Sequence, residues 1–259
     1  MLENSKVHYS SSPVSFQEKE GLYLEVRRRE GRVLPDEAVR DLPNVPKSSL
    51  QAREWEWRKR SFERFRSYVE RSDPDSFGIK LLENSASLQV LDLGCGNGWM
   101  ANRLAENARW KVWAVDLNQQ ELEQGARLFG RPNLRFVYAD VLDNVLPENH
   151  FDVIVLAAAV QYFPDLDSLI ASLRKLLTPK GEIHLLDSPF YKTADNRDAA
   201  RQRTRDYYTK VGVPEMARFY HHHLWSEAEQ LGAVNLNSTL KIRFLQKAKW
   251  LGPFPWLRF

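Results

Sequence analysis

Between residues 89 and 187, short apolar runs alternate with stretches of helical periodicity, and this alternation limits the possible folds more than any other feature of the chain. Segments 89–93, 111–116, 133–138, 151–157 and 181–187 are rich in β-branched and aliphatic residues and read as strands. Segments 100–108, 119–129 and 166–177 read as helices. In the last, Leu166, Ile170, Leu173 and Leu177 recur at helical spacing, and Thr178-Pro179-Lys180-Gly181 marks its end. Strands separated by helices of this length imply right-handed crossovers and a parallel sheet covered on both faces. The near-continuous apolar run 153–160 suits a central strand buried on both sides.

The flanks differ. Residues 1–50 are polar and punctuated by Pro13, Pro35, Pro43 and Pro46; a run at 21–28 followed by Glu30-Gly31 permits a hairpin. Segment 48–70 reads as a helix with Trp55, Phe62, Phe65 and Val69 towards one side. A second long polar helix is expected at 195–211, and a third at 226–231 ends at Gly232. Segment 241–250 suits a helix as well as a strand.

A chain of 259 residues can bury one substantial core with a small appendage. It holds no apolar run of the roughly 20 residues that span a bilayer. Its first thirteen residues have no apolar stretch of the secretory kind. The single cysteine, Cys95, excludes an internal disulfide and a multi-cysteine zinc site, so a cytoplasmic location is the expectation. Net charge is +3, unevenly spread: residues 81–191 hold nine basic and fourteen acidic side chains, residues 192–259 twelve and six. The basic C-terminal third is either a set of solvated helix faces or a surface for an anionic partner.

The stretch Val90-Leu-Asp-Leu-Gly94-Cys95-Gly96-Asn97-Gly98 follows a strand and opens a helix. Glycines there allow positive φ and let a ligand approach the backbone, and the end of a parallel strand beside a switch in strand order is where crevices form. Two carboxylates end the next two strands. Asp116 is placed to accept from both ribose hydroxyls, or else to cap the helix after it. Asp140 is placed to accept from an adenine amino group, or else to cap or close a turn. A nicotinamide dinucleotide fits less well, because its G-x-G-x-x-G fingerprint wants glycine where Trp99 stands.

Together, V-L-D-L-G-C-G-N-G, A-V-D-L, A-D-V and F-D-V-I-V-L-A-A-A-V-Q-Y resemble the class I S-adenosylmethionine-dependent methyltransferases, closest to their small-molecule branch of type 11 domains. The resemblance covers residues 88–187 well and the continuation towards Val234 loosely. It implies a doubly wound α/β fold with a mostly parallel, seven-stranded sheet whose last strand is antiparallel and comes from residues after Val234. It implies S-adenosyl-L-methionine as cofactor and S-adenosyl-L-homocysteine as product. Asp92, Gly94, Gly96 and Gly98, with Cys95 and Asn97 between them, would surround the methionine portion. Asp116 and Leu117 would hold the ribose, Asp140 and Val141 the adenine, and Ala157 would border the sulfonium. Residues 1–80 would form an N-terminal extension with a cofactor-covering helix, and residues 81–259 the methyltransferase domain with a lid insertion at 192–222.

Methyl transfer from a sulfonium has a good leaving group already, so the protein mainly aligns the acceptor and excludes water. A base is needed only for an acceptor that must lose a proton. The resemblance places Tyr162, Asp187 and Tyr191 on the acceptor side, as base, substrate contacts, wall or cap. His184 reads as a satisfied buried histidine. The run His221-His222-His223 has no acidic companion at ligand spacing, so no metal is expected, though one histidine could sit near the acceptor. Within Trp55-Glu56-Trp57-Arg58-Lys59-Arg60, Arg58 or Arg60 could meet the methionine carboxylate or an acidic acceptor; alternatively the segment packs its tryptophans on the core. Arg197, Arg201 and Arg205 recur every fourth residue with Tyr208 beside them. They predict a lid in which Arg201 and Arg205 select an anionic small molecule and Tyr207 and Tyr208 exclude water, or else a solvated stripe. An RNA methyltransferase is a weaker reading, because the stretch after the fourth strand is Ala157-Ala158-Ala159-Val160 rather than Asn/Asp-Pro-Pro-aromatic. A cofactor-binding module without catalysis is the third. The acceptor, the atom methylated and the oligomeric state are not legible in the sequence.

Overall fold

One eight-stranded sheet holds seven strands that run the same way and one, Leu257–Arg258, that runs against them; its order is Val7–Tyr9, Leu134–Tyr138, Trp110–Asp116, Leu88–Leu93, Phe151–Ala157, Leu177–Leu186, Leu257–Arg258, Val234–Asn235. The computed structural model describes residues 6–71 and 87–259; the expected boundary between residues 80 and 81 lies outside them. The strands are β1 (Val7–Tyr9), β2 (Leu88–Leu93), β3 (Trp110–Asp116), β4 (Leu134–Tyr138), β5 (Phe151–Ala157), β6 (Leu177–Leu186), β9 (Val234–Asn235) and β10 (Leu257–Arg258), while β7 (Phe190–Tyr191) pairs in parallel with β8 (His223–Leu224) apart from the main sheet. Strand order runs outward from β2 to β4 and then returns to β5 on the other side of β2. The switch point therefore lies between the carboxyl ends of β2 and β5, where the glycine turn begins.

The core strands form because their side chains are buried on both faces: Val153, Ile154, Val155 and Leu156 of β5 are all fully buried. The helix Leu166–Leu176 covers one face with Leu166, Leu169, Ile170, Leu173 and Leu176. It starts where Asp165 accepts from the backbone N–H groups of Asp167 (3.1 Å) and Ser168 (3.3 Å). The other face takes Trp55, Phe62, Phe65 and Val69 of the helix Ala52–Glu70, as their spacing predicts. Trp55 and Phe62 meet Trp99 edge-on, with ring centroids 5.6 Å apart in each pair.

Two expectations need correction, and an alternative left open is decided. The sheet has one strand more than the resemblance implies, because Val7–Tyr9 adds to the edge of β4; three residues are too few for a periodic signal. The run at 21–28 is not a hairpin but part of the helix Gln17–Arg29. Glu18 and Glu20 in its first turn and Arg27, Arg28 and Arg29 in its last match the helix dipole, and Glu25 bridges Arg29 at 2.7 Å. Burial of Leu24 and Val26 completes the preference for helix over strand. Within 241–250 the helix prevails, spanning Leu240–Lys247, and the antiparallel strand of the resemblance is Leu257–Arg258, paired with Leu185 and His184.

Candidate active site

A cavity of about 1120 Å³ opens at the carboxyl ends of β2, β3, β4, β5 and β6. Gly94, Cys95, Gly96, Asn97, Asp116, Leu117, Asp140, Val141 and Ala157 all line it, so the structure brings together nine of the eleven residues that the resemblance assigns to the cofactor. Gly94, Gly96 and Gly98 have φ of 73°, 55° and 71°, the left-handed region where a side chain is strained. Asp116 ties this turn to β3: its carboxylate accepts from the N–H of Gly96 (2.7 Å), Leu117 (2.7 Å) and Asn118 (2.8 Å). A carboxylate has about four acceptor positions, so at least one remains for a ligand hydroxyl. Asp140 caps a short 3-10 turn through Leu142 N–H at 2.9 Å, using one oxygen, and its own N–H donates to Ser11 Oγ at 3.0 Å. Burial pushes both carboxyls above the usual range. It also pushes the Cys95 thiol up, which leaves it an uncharged wall group.

Asp92 and Gly98 stand elsewhere. Asp92 is buried beneath the turn (2% exposed), its Oδ2 without a partner among the described residues, and burial next to Asp116 pushes it up to about 8. Gly98 faces the core: a Cβ there would lie 2.4 Å from the Phe136 ring. Both therefore support the turn from below and do not line the cavity.

Asp187, Tyr162, Tyr191, Arg58 and Tyr208 do line it. Asp187 follows β6 with φ of 51°, and Ala158 follows β5 with φ of 56°. Two non-glycine residues in the left-handed region at adjacent strand ends mark a locally strained rim. Ser61 Oγ donates to Asp187 Oδ1 at 2.6 Å. Burial nonetheless pushes Asp187 up to about 6, against the lowering by Ser61 and Arg58.

Arg201 and Arg205 are corrected: neither lines the cavity. Both are exposed; Arg201 bonds Asp198 at 3.1 Å and Arg205 bonds Gln202 at 2.6 Å. The helix Ala194–Val211 turns Ala200, Arg203, Thr204, Tyr207 and Tyr208 to the cavity instead. Ala200 and Tyr208 are its two buried residues, and they fix its rotation so that Arg201 and Arg205 face water.

Sequence reasoning missed Lys19, Tyr23 and Arg27 of the helix Gln17–Arg29, and Glu121 of the helix Gln119–Leu128; all four line the cavity. Lys19, Tyr23 and Arg27 recur every fourth residue, a signal visible only once the segment is read as a helix. Lys19 Nζ donates to the Tyr162 carbonyl at 3.1 Å, and burial holds its pKa below the ordinary value, against the raising effect of Asp140 and Asp116. Burial pushes Glu121 up to about 7, held back by Arg27 and Arg58. The buried Nε of Arg27 has no hydrogen-bond partner among the described residues, whereas Arg58 is paired with Glu54 at 2.9 Å. Arg60 is bound to the Trp250 carbonyl and stacked on its ring.

His222 lines the cavity between the rings of Tyr191 and Tyr220 (5.6 and 5.3 Å), and its Nε2 lies 2.9 Å from Thr204 Oγ1. Burial, with help from Arg201, pushes it down to about 4, so it is neutral near pH 7. His184 hydrogen-bonds Trp256 through Nδ1 at 3.1 Å in the core, as a structural histidine should. Among the described residues no cluster of three metal-ligating side chains occurs, and no helix is long and apolar enough to cross a membrane.

Residues 90–181 match the family described as a methyltransferase domain. An uncharacterized methyltransferase of Mycobacterium tuberculosis is 35% identical over 94 residues, covering 36% of this chain and 47% of that protein. A 2-phytyl-1,4-naphthoquinone methyltransferase of Trichormus variabilis is 30% identical over 130 residues, covering 48% of this chain and 55% of that protein. The chain thus spans about half the length of these curated relatives. A geranyl diphosphate methyltransferase solved in complex with GPP and sinefungin shares the fold: TM-score 0.56 over 94% of this chain and 97% of that one, at 12% identity.

Proposed function

We propose that the protein transfers the methyl group of S-adenosyl-L-methionine to a small-molecule acceptor. One observation carries this reading: a single cavity joins the Gly94–Asn97 turn, Asp116 and Asp140 to walls made by Tyr23, Tyr162, Tyr191, Tyr208 and Tyr220. The residues fit the cofactor. The Gly96 turn leaves room beside it, where an added Cβ would meet only the Glu121 carboxylate at 3.1 Å, and Asp116 and Asp140 keep free acceptor positions. The cofactor supplies an activated methyl group with a neutral thioether as its leaving group. Asp116 would hold the ribose, Asp140 the adenine, and Arg27 the methionine carboxylate. The tyrosines, all raised by burial and so uncharged, exclude water and align the acceptor. Arg203 is the lid cation that lines this compartment, which supports an acceptor with an anionic or strongly polar group. Two of the three similar proteins, the naphthoquinone and the geranyl diphosphate methyltransferase, are named for small molecules, which favours this over nucleic acid. Incubation with label in the cofactor's methyl group should mark the small-molecule fraction of a metabolite, RNA and protein mixture. Label confined to RNA, or none despite cofactor binding, would overturn the acceptor class or the catalysis respectively.

Two substitutions test individual roles. Arg27→Gln should weaken S-adenosylhomocysteine binding about tenfold, the scale of a lost charge-assisted bond, and leave 5′-methylthioadenosine, which has no carboxylate, unaffected. Equal losses for both ligands would place Arg27 away from the carboxylate. Asp187 is proposed as the group that accepts the acceptor's proton, which requires its ionised form, so turnover should rise as pH passes about 6. Because the folded pKa lies above the ordinary carboxylate value, ionisation between the two costs stability. Asp187→Asn should therefore raise the melting temperature at pH 7 while removing the acid limb of the rate profile. An unchanged limb would exclude Asp187 as the base.

A further inference from the structure

We propose that the segment 240–250 docks the protein on an anionic membrane surface. The helix Leu240–Lys247 buries none of its residues, and on its outer face Leu240 and Phe244, one turn apart, are 83% and 69% exposed. Trp250 adds a half-exposed indole just beyond its end. Lys241, Arg243, Lys247 and Lys249 surround these apolar groups, all exposed, and residues 230–259 contain five basic and no acidic side chains. Exposed aliphatic and aromatic groups interleaved with cations match an interface of acyl chains beneath anionic headgroups. Nucleic acid would leave Leu240 without a stacking or hydrogen-bonding role.

The segment is held firmly while its outer face stays bare. Trp57 Nε1 donates to the Lys249 carbonyl at 3.2 Å, Arg60 bonds the Trp250 carbonyl, and Gln246 Nε2 donates to the carbonyls of Gly252 and Phe254 at 3.0 Å each. Trp57 and Phe254 both line the large cavity. The segment that would meet the membrane therefore touches two residues of the cavity wall, through the Trp57 indole and the Phe254 carbonyl.

The full chain is sedimented with vesicles of phosphatidylcholine alone, with vesicles of phosphatidylcholine and phosphatidylglycerol in equal parts, and titrated with single-stranded RNA. Binding should occur to the anionic vesicles and weaken as salt is raised. The double variant Leu240→Ser/Phe244→Ser, which removes only exposed groups, should keep the wild-type melting temperature and lose vesicle affinity about tenfold. Lys241→Gln/Lys247→Gln should lose a similar factor. Absence of vesicle binding, wild-type binding by the serine variant, or preference for RNA over the anionic vesicles would each overturn the proposal.

Discussion

Asp116→Ala is expected to lower affinity for S-adenosylhomocysteine by at least about tenfold. A hydrogen bond from a ribose hydroxyl to a carboxylate contributes about 1.5–3 kcal/mol, and its loss is a factor of that size. The substitution also releases the N–H groups of Gly96, Leu117 and Asn118, so the turn that lies against the ligand loses its anchor to β3. Asp116→Asn keeps one acceptor oxygen and should retain part of the affinity with the fold intact. Calorimetric titration of the two variants separates loss of ligand contact from loss of loop order. An alanine variant that binds within twofold of wild type would remove the carboxylate of β3 from the site.

Gly98→Val should destabilise the protein by about 2–5 kcal/mol, whereas Gly96→Val should abolish cofactor binding at a smaller cost. Both positions have positive φ, which costs a branched residue about 1–2 kcal/mol. They differ in what the side chain meets. At Gly98 the Cβ falls 2.4 and 2.8 Å from the fully buried Phe136 ring, and overpacking of this kind costs about 1–3 kcal/mol. At Gly96 it meets the flexible end of Glu121 at 3.1 Å, and the rest of the valine would fill ligand space. Thermal melts and titrations of the two variants should give opposite ranks. A Gly98→Val protein as stable as wild type would contradict the packing described around Phe136. A folded Gly96→Val protein with normal affinity would show that the turn does not touch the cofactor.

The parallel core was legible because its strands are buried on both faces, so that Phe151–Ala157 and its neighbours stand out as continuous apolar runs. The strand-end carboxylates were legible for a related reason: Asp116 is a lone charge ending an apolar strand next to a ligand crevice. What the sequence hid has physical causes too. The run at 21–28 alternates like a strand over a few residues, and only its packing against Tyr208, Val213 and Met216 settles it as a helix over the cavity. Fourfold spacing put Arg197, Arg201 and Arg205 on one face of the helix Ala194–Val211, but spacing does not say which face turns inward; the burial of Ala200 and Tyr208 does. Strands Val234–Asn235 and Leu257–Arg258 have two residues each, and their register is set by tertiary pairing, of Leu257–Arg258 with β6 and of Val234–Asn235 with Leu257–Arg258. Gly98 matched the motif yet serves the core, a distinction that depends on where Phe136 lies.

The most direct test of the central claim is titration of the wild-type chain with S-adenosylhomocysteine and with NAD under the same conditions. The cavity described predicts saturable one-to-one binding of S-adenosylhomocysteine, abolished by Gly96→Val and strongly reduced by Asp116→Ala, and no binding of NAD. Absence of heat with S-adenosylhomocysteine, or binding of NAD in its place, would contradict the assignment of the glycine turn, Asp116 and Asp140 to a methyl-donor site.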